Sequence, residues 1–480
     1  MKFSDLRTNH SLQTAQRIVK KMHQPLYLVG GAVRDCVLGK PPGNDIDFVA
    51  GVAFDDLVFA FARAVGGKII AWEFQQKRVA YRLDGDLITV DFAKFKDGSL
   101  EADLNNRDFT INALAVSVQD LFENEHPEII DHCNGLADIE KKTISSCGTN
   151  CFCDDPLRIL RALRFAQKLN FTIDHSTRSL SCSSVEQLSG VARERVLYEL
   201  FAILDLQAAG KAVRFLLDDR ILTRLLPEID GMRSIDQPPP HHFDLLEHAL
   251  GTVDALDRLV DGSAPEIFEL PSQVQHYLQE TIEGKVTRRA LLMFVGLLHD
   301  SGKPSSLSYK NGKIIFHGHD QRGAELNQES ARSLGLGKRA IRHIGTITAN
   351  HMRIMQLAQL AKITRRAKIR LVMDCSDCGI EIVLLAVADM LATGPHEYET
   401  ASGQKILRLA GELLTLVLER ENEPEHQALV SGRDLIDILD IHEGPEIGNI
   451  LKQIRQMERN GTLSTRDDVL QWLQEKKQQH

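Results

Sequence analysis

Two aspartates separated by a single apolar residue, Asp45-Ile46-Asp47, head the run Phe48-Val49-Ala50, and a glycine pair, Gly30-Gly31, stands shortly before them. Side chains two apart on a strand share a face. A strand read this way carries two carboxylates on one side and Ile46 on the other, so it cannot be buried on both faces. Neighbouring carboxylates repel unless a cation lies between them. Mg²⁺ takes such oxygens together with substrate phosphates. A third carboxylate on an adjacent strand completes a cradle for two such ions. Asp91, with Val90 and Phe92 facing the other way, fits that place. Gly30-Gly31 precedes a helix start, where backbone amides can approach phosphate, and Arg34, one turn in, is placed to clamp one.

The chain of 480 residues exceeds one core and predicts two to four domains. Residues 26–120 alternate strand-like runs (LYLVGG, IDFVA, KRVAYRL, LITVDFA) with helical ones (GAVRDCVLG, FDDLVFAFARAVGG). From about residue 138 the pattern turns helical and stays so. DQPPPHH, 236–242, breaks it, because three prolines forbid a helix there. A second all-helical block is expected to about residue 400, an acidic linker at 419–427, and a polar helical tail over 428–480.

Composition narrows the class. Hydrophobic residues at 43% and charged ones at 26% are ordinary for a globular protein. A net charge of −9 argues against a surface coated for non-specific nucleic-acid binding, while leaving room for a local basic groove. Residues 1–24 read as an amphipathic helix, not a signal peptide. No apolar run is long enough to span a membrane, so a cytoplasmic protein is expected. Eight cysteines without a dense framework read as thiols. Cys375-x-x-Cys378 and the Cys147/Cys151/Cys153 group are too far apart in sequence for a compact zinc module.

The order GG-x-x-R-D then D-x-D resembles the signature of the DNA-polymerase-β superfamily, in particular the class II tRNA nucleotidyltransferases and bacterial poly(A) polymerases. NRDFTINALAV, 106–116, is similar to the family's second motif, which implies that Arg107 contacts the nucleotide and Asp108 organises the site. IIDHCNGLADIEKKTI, 129–144, is similar to the third, with Asp131, Gly135 and Asp138 in place. DDPLRILRALRF, 154–165, resembles the nucleotide-selecting motif, and RERVLYEL, 193–200, the helix after it. The family commonly has Glu where this chain has Asp154.

Asp155 and Arg158 are three apart, which on a helix shares a face. Cytosine and adenine each offer an amine beside an acceptor nitrogen, which a carboxylate and a guanidinium can read together. Uracil and guanine would leave buried groups unpaired. Arg161 resembles a further nucleotide contact. Asp45 and Asp47 are expected to bind Mg²⁺, and Asp91 to help activate an RNA 3′-hydroxyl. The short connection between Asp91 and Arg107 resembles that of CC-adding relatives and also that of the broader HD-containing relatives, so CC-only and full CCA addition both stay open.

His248, His299-Asp300, His319, His351 and Asp389 together resemble the ligand set of HD phosphohydrolases. The resemblance implies a site for Mn, Ni, Fe or Co and phosphodiesterase or phosphatase activity, with Lys303 adding charge. The expected organisation is an α+β nucleotidyltransferase head with a small mixed sheet (1–140), an all-α neck and body (141–235), an all-α HD domain (236–400) and a helical tail (401–480). In the tail, Gly444 and Gly448 serve either an approach to RNA phosphate or a turn and a packing contact. The implied substrates are tRNA, CTP and ATP. The rival readings are a poly(A) polymerase, or a phosphohydrolase whose head only binds RNA.

Overall fold

The computed structural model describes residues 3–41, 43, 45–73, 75–264, 266–375, 377–422, 429–439, 442, 444–459, 463 and 465–478. It divides into two compact units, residues 1–411 and 412–480.

The first unit begins with a seven-stranded sheet. Its strands are β1 (Leu26–Val29), β2 (Ile46–Ala50), β3 (Lys68–Glu73), β4 (Gln76–Leu83), β5 (Asp86–Lys94), β6 (Leu114–Ser117) and β7 (Ile130–Asp131), in the order β3-β4-β5-β2-β1-β6-β7. Only β2 and β5 run parallel; every other pair is antiparallel. The sheet is therefore mixed. Register decides the chemistry: Asp47 pairs with Asp91 across β2 and β5, Arg78 of β4 pairs with Asp91, and Val29 of β1 pairs with Asp47. Paired residues point to the same side of a sheet. On the opposite side Phe48 and Phe92 lie with ring centroids 5.2 Å apart, and Phe61 of helix Phe54–Val65 meets Phe92 edge-on at 5.1 Å. Beside the aspartates, Val29, Val49, Leu104, Ala113 and Ala115 form a separate apolar cluster.

The remainder of this unit is mainly helical. Helix Arg158–Leu169 packs against helix Arg193–Leu204. Helices Leu245–Val260, Arg288–Leu298, His319–Ser333, Lys338–Asn350 and Gly379–Thr393 follow. Every residue of Arg288–Leu298 is buried, and all of Gly379–Thr393 but Leu391 is. The block is not wholly helical as expected. Two hairpins interrupt it, Thr281–Glu283 with Val286–Thr287 and Leu307–Lys310 with Lys313–Phe316. The second turns on Asn311-Gly312, both at positive φ (52° and 73°), a turn chemistry that matches the right-handed strand twist.

In the second unit, helices Gly432–Leu439, Pro445–Arg459 and Arg466–Gln478 enclose Val430, Leu435, Ile450, Ile454, Val469 and Leu473. The expected acidic linker is helical through Asn422, the end of helix Ala401–Asn422, and residues 423–427 of it lie outside the described residues. No described helix is long and apolar enough to cross a membrane.

Gly135 opens helix Gly135–Lys141 against the backbone of Thr110: a Cβ there would stand 2.2 Å from the Thr110 carbonyl oxygen. Two main chains cannot give way as a flexible side chain can. Gly135→Ala is expected to cost about 3 kcal/mol by denaturant unfolding. Gly448, inside helix Pro445–Arg459 with nothing near its missing Cβ, provides the contrast. Gly448→Ala should be neutral or stabilise by up to about 1 kcal/mol.

Candidate active site and metal centre

The glycine pair ends β1 beside Asp47. Gly30 sits at φ 77°, ψ −137°, a conformation closed to most L side chains, and a Cβ on it would lie 3.4 Å from both an Asp47 carboxylate oxygen and an Arg107 guanidinium nitrogen. Gly30, Asp47 and Arg107 are thus gathered at one place. Asp47 is half-buried. Burial, then Asp91 and Asp45, push its carboxyl up to about 6 against the opposing pull of Arg107 and Arg161. Such a pocket calls for positive charge.

Asp45 and Asp91 are placed differently from each other. β2 begins at Ile46, so Asp45 is exposed and lies one residue outside the strand; strand alternation does not set its direction as expected. Asp91 is taken by Arg78 in a forked ion pair, Nε to Oδ1 at 2.6 Å and Nη2 to Oδ2 at 2.7 Å. Among the described residues the three aspartates do not form a set whose ligand oxygens all lie within 4.8 Å of one another. The sequence shows Arg78 plainly but not its pairing, which only strand register reveals.

Arg34 is buried. It donates to Asp35 Oδ1 from Nε (2.9 Å) and Nη2 (2.7 Å), and to Asn112 Oδ1 from Nη1 (2.7 Å). It braces the site through three of its five N–H groups. Asn112 in turn donates to Asp108 Oδ1 at 3.1 Å. Arg161 donates to Asp108 Oδ2 from Nε (3.0 Å) and Nη2 (2.6 Å). Burial opposes ionisation of Asp108, but Arg161, Asn112 and the Phe109 amide outweigh it and hold the carboxyl below its usual range. Arg161 is so engaged, and lies 3.5 Å from Glu199 as well.

Asp155 and Arg158 do not share a helix face. Pro156 excludes its predecessor from the helical region. Asp155 is extended (φ −148°, ψ 98°), and the helix starts at Arg158. Asp155 accepts from Arg195 Nη2 at 2.8 Å, and Arg158 donates to the carbonyls of Asn106 (2.9 Å), Cys151 (3.2 Å) and Arg107 (3.3 Å). Arg107, Arg158, Cys151, Asp154 and Asn106 line a pocket of about 230 Å³. The third motif is structural: Asp131 accepts from the Gly135 and Leu136 amides at 2.9 Å each, and Asp138 accepts from the Thr110 hydroxyl at 2.6 Å.

The second centre is built from buried imidazoles. His299, His319 and His351 stand within 2.8 Å, through Nδ1, of the carbonyls of Gly296, Phe316 and Thr348. Each Nε2 is aimed at Asp300: 3.2 Å for His299, 3.3 Å for His319, 3.5 Å for His351. His248 Nε2 lies 3.0 Å from Asp389. Two ligand triads result, His248/His299/Asp389 and Asp300/His319/His351, all buried. Lys303 Nζ sits 2.6 Å from Asp300. The fit to divalent cations rests on the orphaned atoms: Asp300 Oδ1 and the Nε2 atoms of His299, His319 and His351 are buried without a hydrogen-bond partner among the described residues. Burial would lower His299, yet Asp300 and Asp389 raise it to about 9, again the mark of a site demanding positive charge. Sequence reasoning passed over His241, whose ring lies 4.8 Å from that of His248 and which burial pushes down to about 4.

Family models match the chain in series: the Poly A polymerase head domain over 26–145, the probable RNA- and SrmB-binding site of polymerase A over 170–232, and the HD domain over 245–393. The multifunctional CCA protein of Teredinibacter turnerae is 31% identical over 323 residues, 64% of this chain and 70% of that protein. The chain belongs to the tRNA nucleotidyltransferase family. It is a nucleotidyltransferase with an HD domain. Family relatives that align over nearly the whole chain are a CC-adding tRNA nucleotidyltransferase of Geobacter sulfurreducens (28% identical; 94% of this chain, 91% of the relative) and an A-adding one of Deinococcus radiodurans (28%; 93% and 94%). The fold matches that of the Thermotoga maritima CCA-adding enzyme complexed with tRNA, at a TM-score of 0.57 and 21% identity, over 99% of this chain and 98% of that one.

Removing the Asp108 carboxylate leaves Arg161 and Asn112 facing a void. Asp108→Ala is expected to destabilise the chain by about 3 kcal/mol in thermal or denaturant unfolding. The Asp108–Arg161 pair contributes stability above the ordinary aspartate range, lost as pH falls through the depressed native pKa. The deficit of the variant should therefore be full at pH 7 and shrink in acid.

Proposed function

We propose that the chain adds C, A or both to the 3′ end of tRNA from CTP and ATP, without a nucleic-acid template. The observation that carries this reading is the in-register pair Asp47–Asp91 beside Gly30 and Arg107 in a member of this family, whose near-full-length relatives are CC-adding and A-adding tRNA nucleotidyltransferases. Asp45, Asp47 and Asp91 would hold Mg²⁺, which supplies charge neutralisation at the phosphates undergoing displacement. Asp91 helps draw the proton from the primer 3′-hydroxyl, and Arg78 exchanges its place on Asp91 as substrate enters. Gly30 lets the main chain approach the triphosphate, and Arg107 provides a cationic contact beside Arg34, which is braced by Asn112 and Asp35. Asp108, by holding Arg161 and Asn112, fixes the Arg107 segment. Asp155 and Arg158 read the base edge, after Asp155 leaves Arg195.

The HD centre is proposed as a second active site, for phosphoester hydrolysis. His248, His299, Asp300, His319, His351 and Asp389 would hold one or two ions among Mn, Ni, Fe and Co. Lys303 places a charge beside Asp300 where a leaving oxygen is to be neutralised.

Transcripts of tRNA ending before CCA, after C or after CC, offered labelled CTP and ATP separately, test the first activity and fix its pattern. Incorporation of CMP or AMP, but not UMP or GMP, is expected. Indiscriminate AMP tailing of unstructured RNA would replace this reading with poly(A) polymerase. Asp47→Asn and Asp91→Asn should each lower incorporation about a thousandfold. Asp155→Ala should raise misincorporation of UMP about tenfold relative to CMP. His299→Ala should abolish hydrolysis of 2′,3′-cyclic phosphate ends in Ni²⁺ or Mn²⁺ and leave nucleotide addition intact; equal losses in both assays would contradict two separate sites.

A further inference from the structure

Outside both centres, one more group of potential ligand side chains converges among the described residues. His343 lies on helix Lys338–Asn350, and Asp377 and Cys378 form the turn that leads into helix Gly379–Thr393. An imidazole nitrogen, a carboxylate oxygen and a sulfur from these three residues all lie within 4.8 Å of one another. His343 is 1% exposed, its Nδ1 is 3.2 Å from the Arg339 carbonyl, and its Nε2 is 3.3 Å from Asp377 Oδ2. That Nε2 has no hydrogen-bond partner among the described residues. A buried polar atom left so is destabilising unless a ligand meets it.

The turn is held from behind. Arg288 Nη1 donates to the Asp377 carbonyl at 3.2 Å and to Glu381 Oε1 at 2.7 Å, and the Tyr277 hydroxyl donates to the same carbonyl at 2.7 Å. The Cys378 amide donates to the Cys375 carbonyl at 3.1 Å. Supports of this kind orient metal ligands. The Asp377 side chain, 44% exposed, opens the group to solvent.

We propose that His343, Asp377 and Cys378 form a zinc-binding site, separate from the HD centre, whose fourth position is taken by solvent water. Nitrogen, carboxylate and thiolate donors suit Zn²⁺. One thiolate and one carboxylate balance its two positive charges, so the group is neutral with the ion bound. Binding displaces the Cys378 thiol proton to solvent. The site is remote from the HD ligands on the same helix: His343 and His351 are eight residues, or about 12 Å, apart along the axis. It clamps the start of helix Gly379–Thr393, which carries Asp389, to helix Lys338–Asn350.

Sulfur separates this site from the HD centre, whose donors are all nitrogen and oxygen. Full-length protein, stripped of metal and titrated with Co²⁺, should show a thiolate-to-cobalt charge-transfer band with the intensity of one thiolate ligand per chain, whatever further Co²⁺ the HD centre takes up. The band should vanish in Cys378→Ser, weaken at least tenfold in apparent affinity in His343→Gln, and persist in Cys375→Ser and His299→Ala. No sulfur band in folded wild-type protein, or a band surviving Cys378→Ser, overturns the proposal. Should Cys378→Ser not fold, the wild-type chain decides. Protein purified with zinc should release one equivalent on titration with an organomercurial, in His299→Ala as in wild type; no release in step with thiol modification refutes the site.

Discussion

The carboxylate of Asp108 holds the nucleotide-binding region together. Buried and ionised, it accepts from the Phe109 amide, from Asn112 and twice from Arg161. An ionised carboxylate out of water is tolerable only when so surrounded. Its partners fan out. Asn112 secures Arg34 and with it the helix after the glycine turn. Arg161 leads to Glu199, which also accepts from Arg164. Arg158, three residues before Arg161, grips the main chain at Asn106 and Arg107. Four segments far apart in sequence thus share one charge, and the position of Arg107 beside Asp47 follows from it.

The two centres handle negative charge in contrasting ways. At the head, Asp47 and Asp91 stand side by side, and arginine side chains supply the countercharge: Arg78 on Asp91, Arg107 near Asp47. In the HD block Lys303 and His299 meet one oxygen of Asp300, and His319 and His351 face the other. Those rings are fixed by main-chain carbonyls at their far nitrogens, so their near nitrogens converge without needing one another.

Much of this was legible in the chain. Asp47, the glycine pair and Asp91 announced a sheet with a charged row, because strand period and carboxylate repulsion are local facts, whereas Asp45 falls one residue outside β2, where that period no longer holds. The histidines of the HD block were legible as a set. What local reasoning missed came from pairing and from proline. Arg78 stands opposite Asp91 only through β4–β5 register. Pro156 removed Asp155 from the helix that spacing alone suggested. Asn311-Gly312 carried a hairpin signal inside a block read as helical. Cys375-x-x-Cys378 was weighed against distant cysteines, whereas its neighbour in space is His343, on a preceding helix.

Phe48 and Phe92 meet on the far side of the sheet from Asp47 and Asp91, one residue along each strand. Sliding β2 against β5 by a single position would turn a carboxylate into the aromatic layer, a misfit severe enough to forbid the slip. The oily underside therefore works as an alignment jig for the acidic upper side. Wear in that jig, such as a smaller residue in place of Phe92, would blunt the chemistry without touching any group that meets a nucleotide.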